Sequence, residues 1–138
     1  MTQRIYKSQG ISLGAASSNT RYGKKEDSLL VTLPQESILS GKFTSNKLKA
    51  APVKLAIENL SNSKKAKTVL LINAGTAHAA TGPKDLKDVR KYCNEITLDF
   101  KTSHANVIPL STGVIGEPLA TENYLSSFRD ASSRLSHT

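Results

Sequence analysis

Six consecutive residues, Thr68-Val-Leu-Leu-Ile-Asn73, constrain this chain more than any others. They are nearly continuous in β-branched residues and leucine, without the polar alternation of a strand that has one wet face. Such a run reads as a strand buried on both faces. It opens onto a stretch of small residues, Ala74-Gly-Thr-Ala-His-Ala-Ala-Thr-Gly82, after which the apolar period changes. Leu86, Val89, Cys93, Ile96 and Phe100 recur at spacings of 3, 4, 3 and 4, which draws one apolar stripe along a helix. Pro83 suits the first turn of that helix, and Thr81 is placed to cap it. Val107-Ile-Pro-Leu110 then reads as a short strand, because Pro109 cannot donate to a central ladder. A glycine loop, Ser111-Thr-Gly-Val-Ile-Gly116, leads to a final helix over about residues 120–135, with Leu125, Phe128 and Leu135 on one face. Upstream, Ser28–Leu33 reads as a buried strand ahead of Pro34. Residues 51–60 start extended at Pro52 and then turn helical. Residues 1–25 are polar and rich in Gly and Ser, as an irregular arm or an edge strand would be. Strand, loop and helix in alternation predict a single layered α/β domain over residues 1–138.

Composition closes off several function classes. The chain has one cysteine, so an internal disulfide framework is excluded. Cys93 has no nearby Cys or His in sequence to share a zinc ion, and its place in the helical stripe makes it a core filler. No apolar run approaches the roughly 18 residues of a membrane helix. The net charge of +8 is uneven: residues 1–70 hold 12 Lys or Arg against 4 Asp or Glu, and residues 71–138 hold 7 against 7. The bland reading is a solvated Lys-rich face. The sharper one is a small basic nucleic-acid-binding module, using Lys42, Lys47, Lys49 and Lys54 on phosphates. Against it, no regular aromatic interleaving offers platforms for stacked bases. No acidic residue precedes Glu26, which resembles a transit peptide. Residues 9–17 nevertheless read as part of the domain, so a cytoplasmic protein is expected.

Three segments carry chemistry. Asn73-Ala-Gly75 through Thr81-Gly82 lets backbone approach backbone or a ligand closely; by itself it is better explained by a tight strand-to-helix turn. It lacks the Gly-Lys-Ser/Thr of a P-loop. Ser111-Thr-Gly-Val-Ile-Gly116 places a hydroxyl and backbone N–H groups after a strand. Those are the donors an oxyanion hole needs, although a plain glycine turn has the same composition. Ser40-Gly-Lys-Phe-Thr-Ser-Asn-Lys-Leu-Lys-Ala-Ala-Pro-Val53 is, on physical grounds alone, a basic strand or loop.

Taken together, in this order and spacing, these segments resemble the ornithine acetyltransferase (glutamate N-acetyltransferase) family. The likeness runs through Gly10–Ala16, Phe43-Thr44 with Asn46 and Ala50-Ala-Pro-Val53, Asn73–Gly82, and Ser111-Thr-Gly-Val-Ile-Gly-Glu-Pro-Leu119. It implies the N-terminal segment of an arginine-biosynthesis acyltransferase whose precursor cleaves itself before a threonine. The freed Thr carries acetyl from N-acetylornithine to glutamate, with its own α-amine as base. The resemblance assigns the oxyanion hole to Thr112, through its side chain, and Gly113, through its backbone N–H. It implies no metal and no dissociable cofactor, no nucleic acid and no membrane, and an oligomer when complete. The required partner is the C-terminal, nucleophile-bearing part, expected to lie beyond Thr138, so the chain alone is expected to be inactive. Thr76 and His78 stand where the family usually carries Asn, which bears on specificity.

Overall fold

The computed structural model describes residues 8–118 and 120–137. Residues 1–7 of the expected N-terminal arm, Leu119 of the last motif and Thr138 lie outside the described residues. Strands β1 (Ser12–Ala16), β2 (Ser28–Leu33), β3 (Thr68–Asn73), β4 (Val107–Ser111) and β5 (Ser136–His137) form one sheet in the order β4-β3-β2-β1-β5. Helices α1 (Ala51–Ser61), α2 (Lys84–Phe100) and α3 (Thr121–Ser133) complete the mixed α/β architecture. Only β3 and β4 are parallel; the other neighbours run antiparallel. Pro109 sits in the strand at one border of the sheet, where a missing N–H is tolerated.

Register decides which residues meet the helices. Leu30 lies opposite Leu71 and Gly14, and Val69 lies opposite Val107, so Leu30, Val69, Leu71, Val107 and Ala16 share one face. All five are buried against Leu55 of α1, Val89, Tyr92, Cys93 and Ile96 of α2, and Leu125 and Phe128 of α3. The predicted stripe of α2 is therefore the packing face, with Tyr92 as an added large residue; Leu86 and Phe100 border the cluster. Leu135 packs on it from beyond the end of α3.

Three expectations need correction. The strand β3 is not covered equally on both faces. Leu70 and Ile72 are only partly buried, because α1, α2 and α3 all contribute to the core on the other side. The first helix does not begin extended at Pro52. Ala50 is the extended residue, at φ −60° and ψ 154°, and Pro52 already lies in the first turn, where its missing N–H is harmless. Thr81 does not cap α2. Its hydroxyl donates to the Asp85 carboxylate, and Pro83 precedes the helix in αR geometry without a side-chain cap.

The helix layer lies very close to the sheet at Gly14. A Cβ there would fall 2.0 Å from the Ala131 carbonyl oxygen of α3, so only glycine fits beneath that helix. Ser28 and Ser127 hydroxyls meet at 2.7 Å beside this contact, and Asn59 ties α1 to the Val107 carbonyl at 2.7 Å. Gly14→Ala is expected to lower stability by about 2–3 kcal/mol through overpacking. An unchanged urea midpoint would show that α3 can lift away freely.

Candidate functional site

Both glycine-rich loops leave the sheet at the same end, because the strands that precede them are parallel and in register, Asn73 beside Ser111. The pairing continues past the strands. Thr112 N–H donates to Asn73 O (2.9 Å), Val114 N–H to Gly75 O (2.9 Å), Ala77 N–H to Val114 O (3.0 Å) and Gly116 N–H to Ala79 O (2.8 Å). Such closeness demands small residues. Gly113 has φ +128°, and a Cβ on it would lie 2.2 Å from the Gly75 carbonyl carbon. The two motifs thus form one structure, each the seat of the other.

Thr112 and Gly113 are exposed at its tip. Thr112 lines a depression of about 310 Å³ with Ala15, Leu29 and Ile72, on the sheet face opposite the helices. The Gly113 N–H makes no hydrogen bond within the described residues, and the Thr112 hydroxyl makes only a long one, 3.4 Å, to Asn73 O. A free amide and a lightly held hydroxyl on adjacent residues can turn toward one developing negative charge.

Beneath them lies a buried polar cluster that sequence reasoning did not identify. Asn73, 1% exposed, accepts the Ser111 hydroxyl at 2.6 Å through Oδ1 and donates through Nδ2 to Thr76 O at 3.0 Å. His78 Nδ1 lies 3.3 Å from Ser111 Oγ. The His78 ring stands edge-on to Tyr92 and Tyr124, at centroid distances of 6.3 and 5.9 Å. The Tyr124 hydroxyl closes the group by donating to Ala74 O at 3.0 Å. The signal that could have revealed the cluster is an Asn ending an otherwise apolar strand, where a buried amide must be satisfied.

The basic segment is held apart from this tip. Lys49 bonds its own loop at Asn46 O, and Lys54 lies in α1; both border a second hollow of about 680 Å³, whose other wall is His78, Ala80 and Gly82 of the first motif. The link to the site runs through backbone, Ala51 N–H to His78 O at 3.1 Å. Cys93 is buried in the core, and burial pushes its thiol pKa up, away from reactivity. Among the described residues no three His, Cys, Asp or Glu side chains gather as metal ligands would, and no helix is long and apolar enough to cross a membrane.

The family profile described as the ArgJ family matches residues 12–138. The arginine biosynthesis bifunctional protein ArgJ of Methylococcus capsulatus is 35% identical over 127 residues, covering 92% of this chain and 30% of that protein. The chloroplastic ArgJ of Sorghum bicolor is 39% identical over 76% of this chain and 22% of its own length. The chain thus spans a third or less of the curated relatives it matches. Among solved structures, ArgJ from Bacillus halodurans superposes with a TM-score of 0.76 at 28% identity, over 88% of this chain and 62% of that one. Ornithine acetyltransferase from Mycobacterium tuberculosis, solved with ornithine, gives 0.80 over 93% of this chain and 68% of that one; at 22% identity it speaks for the fold alone.

Burial holds the His78 pKa down at about 4, against a weaker upward pull from Asp88. An unfolded His titrates near 6.5, so between the two values the unfolded chain binds the extra proton. Stability is therefore expected to fall as pH drops from about 6.5 toward 4, by up to about 3 kcal/mol from this group. Melting curves of the parent and of His78→Asn, which cannot titrate, should diverge over that window, the parent showing the steeper acid loss. Parallel curves would mean that His78 is solvated when folded.

Proposed function

The chain belongs to the ArgJ family, and from that premise we propose that it is the N-terminal segment of a glutamate N-acetyltransferase moving acetyl from N-acetylornithine to glutamate. Thr112 and Gly113 supply the oxyanion hole, and the nucleophilic Thr comes from the remaining part of the family's length. In the reaction that Thr attacks the acetyl carbonyl while its own α-amine takes the hydroxyl proton. Charge builds on the carbonyl oxygen as the tetrahedral intermediate forms. The Gly113 N–H and the Thr112 hydroxyl stabilise it, the hydroxyl exchanging its 3.4 Å bond to Asn73 O for the stronger acceptor. On collapse the α-ammonium returns the proton to the leaving nitrogen, the C–N bond breaks, and ornithine departs from an acetyl-Thr ester. The glutamate amine then attacks that ester, gives its proton to the α-amine, and the C–O bond to Thr breaks as its oxygen takes the proton back. Self-cleavage before the Thr develops a like oxyanion and draws on the same pair.

The observation that carries this reading is exposed Gly113, whose N–H makes no hydrogen bond among the described residues, beside Thr112 at the rim of a partly exposed apolar sheet face. Leu29, Leu70 and Ile72 of that face are only partly buried, and Leu110 is 39% exposed. The C-terminal part is the partner that face calls for, since covering it delivers the nucleophile to the donors' side of the sheet. A nucleic-acid-binding module finds no support among the relatives. A single buried thiol suits the cytoplasm as the compartment.

The test is Thr112→Ala in the chain assembled with the rest of a family enzyme. Turnover should fall by about 100- to 1000-fold, the loss typical of one oxyanion donor, and self-cleavage should slow. The melting temperature should hardly move, because the side chain is exposed and makes only one long bond. Near-parental turnover with a marked loss of stability would make Thr112 a turn residue and remove it from the site.

A further inference from the structure

Thr112 and Gly113 are exposed, but what holds Thr112 is buried and has a direction. The Thr76 carbonyl can only accept, so the Asn73 amide must turn its NH₂ toward it, as the 3.0 Å contact requires. Asn73 Oδ1 then faces Ser111, whose single hydroxyl proton is used in the 2.6 Å bond to it. The contact between Ser111 Oγ and His78 Nδ1 at 3.3 Å must therefore run the other way, with the ring N–H donating. That makes His78 the Nδ1–H tautomer with a bare Nε2, and Nε2 is the ring atom that has no partner among the described residues. A buried lone pair without a partner is tolerated better than a buried N–H without one. Tyr92 Oη, also buried, has no hydrogen-bond partner among the described residues.

We propose that His78 and Ser111 are positioning residues for acyl transfer. The one-way chain from His78 Nδ1–H through Ser111 Oγ–H to Asn73 Oδ1 fixes the Asn73 residue, whose backbone carbonyl in turn sets the Thr112 N–H and hydroxyl. The proposal rests on reading Thr112 and Gly113 as oxyanion donors. Asn73 O accepts both the Thr112 N–H, at 2.9 Å, and its hydroxyl, at 3.4 Å. A tilt of Asn73 therefore moves the Thr112 donor. Hydrogen bonds aligned head to tail polarise one another, so the chain stiffens as a unit. His78 reaches it from a left-handed backbone, φ +51°, a conformation uncommon outside glycine but one that histidine adopts more readily than most side chains.

Two measurements test this. Ring-¹⁵N labelling of the histidines of this chain, with the His78 signal assigned through His78→Asn, should show Nδ1 protonated and Nε2 bare near neutral pH. An Nε2–H tautomer, or a mixture of the two, would overturn the chain's direction and with it the proposal. In the chain assembled with the rest of a family enzyme, Ser111→Ala should lower kcat about tenfold with KM unchanged, the effect of one lost neutral hydrogen bond. Ser111→Thr, which keeps the hydroxyl, should recover most of it. Thr112→Ala separates the layers: if it keeps parental turnover, the oxyanion reading fails. If Thr112→Ala collapses turnover while Ser111→Ala keeps parental kcat, the donors stand and the positioning role is overturned.

Discussion

Parallel strands cannot be joined by a hairpin, so pairing β3 with β4 obliges the chain between them to cross over the sheet. That crossover is α2, and its apolar stripe is what closes the core over Val69, Leu71 and Val107. The same pairing sends both glycine-rich loops out at one end, in register, where Gly75 and Gly113 can lie backbone against backbone. Fold and site therefore share one constraint. Break the register between Asn73 and Ser111 by one residue and the side chains swap faces. Asn73 would then leave its buried cluster, and Thr112 would lose its anchor.

The hydrophobic periods carried most of the architecture. The apolar run of β3 and the spacing from Leu86 to Phe100 are local patterns, and local patterns are readable without knowing what they touch. Which face of β3 the helices cover was not readable, because Leu70 and Leu71 look alike until neighbouring strands set the register. Gly14 shows the same limit: nothing beside it in sequence announces that α3 presses on it. The junction of the two glycine-rich loops was not legible in sequence; the Ser-Thr-Gly motif and its resemblance to the family single out Thr112 and Gly113, and register alone shows Gly113 lying against Gly75. Asn73, Ser111 and His78 were not legible as a unit, since they are joined by contacts 33 and 38 residues apart in sequence.

The helix layer owes little of its stability to its many charges. Arg90 of α2 grips Glu58 of α1, Lys91 reaches Glu122, and Arg129 of α3 bonds Glu95 and Asp99 of α2. All of these pairs are substantially exposed, and such pairs are individually worth little. Three of the seven acids of residues 71–138, Glu95, Asp99 and Glu122, pair with a base on another helix, while the excess lysines of residues 1–70 include those of the loop before α1.

The bond from Ser111 to Asn73 spans 38 residues of chain. Contacts of that range form only after the intervening segment has collapsed, and they are slow to form because loop closure precedes their reward. Helix α2 can flicker into existence by itself; the platform under Thr112 cannot. A growing or half-folded chain consequently lacks the assembled platform beneath Thr112, and whatever chemistry this tip supports is timed to the completion of folding.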